Sequence, residues 1–265
     1  MNKMQGQLKQ NLDSIYVQYN KREFIDPDPL LYLYNYPDKQ NREIVGIIAA
    51  CFAYGQVLQI MKTVSHVLEK MTPSPHEYLI QRSRADMIED FKGFRYRFAD
   101  QTHLVNLLLG IQGVINGFSS LENCFYSGMS STDENVLPGL AFFCHQLDPD
   151  NKTGHLLADP TKRSACKRSH LFLRWMVRKD LVDPGGWDQI APARLIIPLD
   201  LHMHRIGNLL GFTSRKSADQ KTALEVTRGF QKIIPHDPVK YDFCLTRYGI
   251  RNELSLEDLR QKVYH

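Results

Sequence analysis

Apolar side chains recur at three- and four-residue spacing through most of the chain, and no segment of useful length alternates with period two. Ile44, Ile47, Ile48, Cys51 and Phe52, followed by Val57, Ile60, Val64, Val67 and Leu68, predict two helices between Arg42 and Met71. Gly55 marks the break between them and leaves Gln56 exposed at the junction. After a loop at Thr72 to Pro75, a short helix or turn runs to about Glu89. His103 to Asn116 reads as a leucine-rich helix, Ser119 with Glu122 as the capping box of the next, and Leu137 to Leu147 as another, beyond a loop at Tyr126 to Asn135. Further on, Ser217 with Gln220 caps a helix through Phe230, and Asp237 before Pro238 opens one over VKYDFCLTRYGI. LSLEDLRQKVYH closes the chain as a short amphipathic helix. The fold class is therefore all-α. Residues 1–40 read as an arm, an amphipathic start and then an irregular, tyrosine-rich DPDPLLYLYNYPD, packed on a body of residues 41–250, with residues 251–265 as a C-terminal helix.

The stretch from Ser164 to Gly211 carries the candidate chemistry. After Lys167, the run Leu171, Phe172, Leu173, Trp175, Met176 and Val177 fits a mostly buried helix of about three turns, which puts Lys167 in its first turn. The positive end of a helix dipole and apolar neighbours both disfavour an ammonium ion there, and a neutral lysine amine is a nucleophile. Pro184, Gly185 and Gly186 break the chain, and Asp200 then precedes LHMHRIGNLL, which stops at Gly211. Asp200 reads as an N-cap, a position that fixes the direction of a carboxylate able to face a developing cation. Arg174 and Arg178 fall on about the same helix face as Leu171 and could line a phosphate track. In FKGFRYRFAD, aromatic and basic residues alternate, which suits either stacking on bases or aromatic core side chains with solvated arginines between them.

Composition narrows the class of protein. With 265 residues, 43% hydrophobic and 23% charged, the chain is an ordinary globular protein long enough for a well-buried core. A net charge of +4 permits nucleic-acid binding without arguing for it. Five widely spaced cysteines form no C-x-x-C pair and read as reduced thiols of a cytoplasmic protein. No apolar run is long enough to cross a membrane. Asp200, His202 and His204 raise the thought of a metal-dependent hydrolase, but residues two apart on a helix point away from each other, so no metal site is expected.

A lysine on one helix followed by P-L-D-L-H at the start of the next resembles the helix-hairpin-helix DNA glycosylase superfamily, in particular its archaeal 8-oxoguanine glycosylase branch, which shares a long separation between the two; here it is 33 positions. The resemblance implies a two-lobed helical fold with a central cleft, Lys167 as the Schiff-base nucleophile and Asp200 as its assistant. IIAACFAYGQ resembles the early helix whose glutamine fills the gap left by a flipped base, which assigns that role to Gln56. Arg168 and Arg174 are then expected at the DNA, and Asp242, in KYDF, resembles a carboxylate near the pocket of related enzymes. His202 is expected to hold local structure. Implied with these are an oxidised purine, most plausibly 8-oxoguanine, in double-stranded DNA as substrate, abasic-site lyase activity, no metal or organic cofactor, and a monomer working in the bacterial cytoplasm at the nucleoid. One departure is plain: the hairpin before the lysine in that superfamily carries glycines whose amides hold a phosphate, and Arg163, Ser164, Ala165 and Cys166 include none. That departure keeps open a nucleic-acid-binding module without catalysis. Across KYDFCLTRYGI, AYGQV and the CKR to FLRWMVR run, the chain also resembles a bacterial family known only as a domain of unknown function.

Overall fold

Helical periodicity in the sequence is realised almost throughout the computed structural model, which describes residues 3–251 and 253–264. The chain is all-α. Helix α1 (Lys3–Tyr19) leads through two 3-10 segments, Arg22–Phe24 and Pro29–Asn35, into α2 (Lys39–Phe52) and α3 (Val57–Lys70). The short α4 (Pro75–Gln81) and α5 (Arg84–Asp90) precede a ribbon of two two-residue strands, β1 (Arg95–Tyr96) and β2 (Ala99–Asp100), paired antiparallel. Then come α6 (Gln101–Phe118), α7 (Leu121–Ser127), α8 (Leu137–Leu147), α9 (Lys167–Val177), α10 (Leu201–Leu209), α11 (Gln220–Gln231), α12 (Asp242–Ile250) and α13 (Leu256–Tyr264). No single helix among the described residues is long and apolar enough to cross a membrane.

The core is built around α2, whose residues from Glu43 to Phe52 are all buried and which packs against α9, α3, α4 and the Pro29–Asn35 segment. Close approach of α9 needs Gly46, where a β-carbon would stand 3.1 Å from the Phe172 ring. Glu43, buried on α2, accepts the Leu121 amide at 2.9 Å, the Glu122 amide at 3.3 Å and the Trp187 indole at 2.9 Å. A single carboxylate thereby caps α7, pins the 180s loop and meets the requirement that a buried charge be fully hydrogen-bonded. The first helix lies on α12 and α13, held by Lys240 Nζ to Asp13 at 2.7 Å and Tyr16 to Asp180 at 2.8 Å.

Three predicted helix starts are displaced, two of them because another side chain takes the capping role. Ser119 adopts a left-handed conformation (φ 66°) as the C-cap of α6, and Ser120 instead accepts the Asn123 amide at 3.0 Å. Asp219, not Ser217, caps α11 through the Thr222 amide at 3.0 Å. The helix expected from Asp237 begins at Asp242, because the Asp237 carboxylate is held by Arg178 Nε at 3.0 Å rather than by a backbone amide. In the ribbon, Phe94 and Tyr96 enter the core while Arg95, Arg97 and Phe98 stay exposed.

Candidate active site

Two helix starts and one helix break meet at a single cleft of about 1150 Å³. Lys167 is the first residue of α9. The residue before it, Cys166, is left-handed (φ 47°, ψ 38°), the conformation a glycine would adopt at no steric cost, so the hairpin keeps a tight turn without a glycine. Its amide, however, is taken by Ser164 Oγ at 3.2 Å. The same hairpin is tied to the start of α11, with the Gln220 amide on the Arg163 carbonyl at 3.2 Å and the Gln220 side chain on the Pro160 carbonyl at 2.8 Å.

Asp200 caps α10, accepting the Met203 amide at 2.9 Å, and the helix ends before Gly211 at φ 70°. Lys167 and Asp200 both line the cleft, both are half-buried, and they form no salt bridge with each other. The amine has no hydrogen-bond acceptor among the described residues, whereas one oxygen of Asp200 is taken by the Met203 amide. On the other side the break between α2 and α3 supplies Ala53, Tyr54, Gly55, Val57 and Ile60 to the wall. Gly55 has φ 97°, and Arg97 from the ribbon lies directly on it, 2.8 Å from where a β-carbon would sit. Gln56 is the exposed last residue of that break, at the N-cap of α3; it does not itself line the cleft but stands between Gly55 and Val57, which do.

Arg168 also borders the cleft. Its Nη1 and Nη2 donate to the Cys51 and His155 carbonyls, and its guanidinium sits 4.8 Å from the centre of the Tyr54 ring, which binds the start of α9 to the end of α2. His202 lines the cleft beside Gly249, whereas His204 is buried and bonds the Arg215 carbonyl at 2.8 Å. Among the described residues no three His, Cys, Asp or Glu side chains converge as a metal site would require. All five cysteines are buried and unpaired, and burial pushes the thiols of Cys124 and Cys244 up to about 12.

Neither Arg174, expected at the DNA, nor Asp242, expected near the pocket, lines the cleft. Both are buried, and they pair with each other: Arg174 Nη1 donates to Asp242 Oδ2 and Arg174 Nε to Asp183 at 3.1 Å. Arg178 is likewise enclosed, by Asp183, Asp237 and Asp180. A phosphate track needs solvent-facing guanidinium groups, and these two are fully occupied inside the fold. Asp242 stands behind the site: burial pushes its carboxyl up, Arg174 opposes that, and the charges of Asp200 and Lys167 are also felt there.

One turn along α9 from Lys167, His170 is completely buried with neither ring nitrogen hydrogen-bonded. Burial brings its pKa down to about 4 from the usual histidine value of 6.5. As the pH falls from 6.5 to 4 the unfolded chain takes up a proton that the folded ring refuses, so stability is fully present above that window and declines through it, by about 3 kcal/mol. His170→Leu is expected to remove this part of the slope, read as the change in urea-unfolding free energy between pH 7 and pH 4 for the two proteins side by side.

Residues 28–251, from the Pro29–Asn35 segment to the end of α12 and so including all of the cleft wall but Asp26, Pro27 and Glu253, match the family described as Protein of unknown function (DUF2400). The chain belongs to that family. No curated protein and no solved structure is significantly similar to this DUF2400 chain. Membership in this family brings no activity with it. Three of its wall residues were beyond sequence reasoning: Asp28, Tyr54 and Arg247. Asp28 sits in a segment read only as an irregular lead-in, Tyr54 next to the predicted glycine break, and Arg247 inside an apolar run with no signal of its own.

Proposed function

We propose that this DUF2400 protein is a DNA glycosylase with associated abasic-site lyase activity, acting through a lysine Schiff base on an oxidised purine, 8-oxoguanine above all. The observation that carries the reading is the meeting, in one cleft, of an amine without an acceptor among the described residues at the N-terminus of α9 and a carboxylate at the N-terminus of α10 that gives one oxygen to the Met203 amide and has no other hydrogen-bond partner among the described residues. The damaged base leaves the duplex and enters the cleft, with Gln56 at the rim filling its place. The Lys167 Nζ lone pair forms a bond to C1′ of the sugar while the glycosidic bond breaks, its electron pair leaving with the base, which takes up a proton from the newly substituted nitrogen. Asp200 stabilises the positive charge that develops on the sugar. Opening of the sugar ring gives the Schiff base, and loss of a C2′ proton then expels the 3′ phosphate.

A covalent adduct decides it. Wild-type protein incubated with an 8-oxoguanine duplex and borohydride should be trapped on the DNA, whereas Lys167→Gln should give no adduct. Absence of any wild-type adduct across a lesion panel and on abasic duplex DNA would sink the reading. One observation favours a second reading, a DNA-binding module without catalysis: the hairpin before Lys167 has no glycine, and its Cys166 amide is already taken by Ser164. That module would bind lesion DNA and cleave none, with wild type and Lys167→Gln indistinguishable.

A further inference from the structure

One part of the cleft wall carries charges that the proposed chemistry does not use. Asp28 belongs to the lead-in to the Pro29–Asn35 segment and Arg247 to α12. Each is locked in place by a neighbour. Asp28 Oδ1 accepts the Leu30 amide at 3.0 Å, capping the 3-10 segment, while its Oδ2 has no donor within hydrogen-bonding distance among the described residues. The Arg247 guanidinium lies 4.2 Å from the centre of the Phe243 ring and donates through Nη1 to the Phe24 carbonyl at 3.2 Å. Its Nη2 stands 3.7 Å from Asp28 Oδ2, too long for a hydrogen bond. Among the described residues its Nε–H is enclosed with no acceptor, and so is Nη1 of Arg251, which lines the same cleft. Donor capacity without an acceptor inside a folded protein calls for a further group at the site. Here a fixed donor and a fixed acceptor stand side by side as an ion pair at 3.7 Å with no hydrogen bond between them, in a cleft whose other walls include Val57, Ile60 and Leu199 and suit a flat ring.

We infer that Asp28 and Arg247 read the hydrogen-bonding edge of a guanine-type base, the carboxylate accepting from N1–H and the 2-amino group and the guanidinium donating to O6. This deepens the glycosylase reading and rests on it. An arginine can only donate, and an ionised carboxylate can only accept, so the complementary edge must set an acceptor beside donors. Guanine offers one carbonyl oxygen followed by two N–H groups and fills all of it. Hypoxanthine lacks the 2-amino group, and adenine offers the carboxylate a single amino group, so both leave part of the buried charge unpaired. Recognition of this kind discriminates strongly, because the analogue that lacks a donor strands the group built to meet it.

The test separates the edge from the catalysis. Deoxyguanosine, deoxyinosine and deoxyadenosine titrated into wild type by calorimetry should bind in that order, with deoxyguanosine ahead of deoxyinosine by roughly 10- to 100-fold, the value of one hydrogen bond to a charged group. Asp28→Asn keeps an oxygen for the Leu30 amide and so keeps the cap, but loses the second acceptor, and the preference should shrink to a few-fold at most. Single-turnover excision from duplexes carrying 8-oxoguanine and 8-oxohypoxanthine should show the same contrast in wild type. A wild type that binds the three nucleosides alike, or binds none, overturns the inference, as does an Asp28→Asn protein that is folded by circular dichroism and retains the full preference. Borohydride trapping of wild type on abasic DNA, which has no base to read, reports on the glycosylase reading alone: success there beside indifference to the 2-amino group removes the edge reader and leaves the enzyme.

Discussion

Asp200→Asn is expected to slow base excision by roughly 10²- to 10³-fold, the usual loss when one preorganised electrostatic group is taken from a transition state, and to leave the fold intact. On the proposed mechanism the two effects separate because the residue has two tasks that depend on different properties. As the cap of α10 it accepts the Met203 amide at 2.9 Å, and asparagine caps a helix about as well as aspartate. As the partner of a cationic sugar it must carry a charge, which asparagine lacks. Urea unfolding should therefore place Asp200→Asn within about 0.5 kcal/mol of wild type, whereas Asp200→Ala should lose the same activity and about 1 kcal/mol of stability besides. Single-turnover excision of 8-oxoguanine, with enzyme in excess, is the measurement. An Asp200→Asn rate within threefold of wild type would reduce Asp200 to a cap, and the proposed mechanism would then lack its electrostatic partner. Lys167→Gln combined with Asp200→Asn should be no slower than Lys167→Gln alone, since groups that act as a unit do not add.

What could be read in the sequence is what local chemistry determines. The all-α class, the break at Gly55, the bounds of α8, the N-terminal place of Lys167 on α9 and the capping role of Asp200 each follow from a few adjacent residues, and each is found where the pattern puts it. Misplaced caps at Ser119 and Ser217 are failures of the same local reasoning by one or two residues, where the Glu122 and Gln220 amides are taken by Glu43 and the Arg163 carbonyl from elsewhere in the fold. The partners of Arg174 were out of reach for a different reason. Asp183 is nine positions along the chain and Asp242 sixty-eight, and nothing in either neighbourhood tells an arginine on an apolar helix whether it will meet water or a carboxylate. Arg247 and Asp28 share that problem: a donor on α12 and an acceptor before α2 are brought to one cleft wall only by the packing of the whole body. Helical spacing also could not foresee that the ribbon Arg95 to Asp100 would fold back over Gly55.

Asp183→Ala should cost about 3–5 kcal/mol, the range seen when one member of a buried ion pair is removed. Asp183 is fully buried, and it receives Arg174 Nε at 3.1 Å on one carboxylate oxygen and Arg178 Nη1 on the other. Guanidinium groups do not shed their protons in proteins, so neither arginine can escape by neutralising. Arg178 would still have Asp237 and Asp180, and Arg174 would still have Asp242, but the space between the two cations would hold a methyl group and leave one donor of each facing it. Asp183→Asn keeps the shape and one acceptor, and its stability should fall between alanine and wild type. The expected order in urea midpoint is wild type, Asn, Ala, with the alanine variant melting roughly 10 °C or more below wild type, at 2–4 °C per kcal/mol for a chain of this size. The cluster joins the end of α9 to the 180s loop and to the segment entering α12, so the helix whose first residue is Lys167 is anchored at its other end by charge. At a temperature where Asp183→Asn is still folded, borohydride trapping should persist, because the variant weakens the anchor without touching the cleft. A loss below about 1 kcal/mol for Asp183→Ala would mean that water enters between the two arginines, and the far end of α9 would then be held by apolar packing against α2.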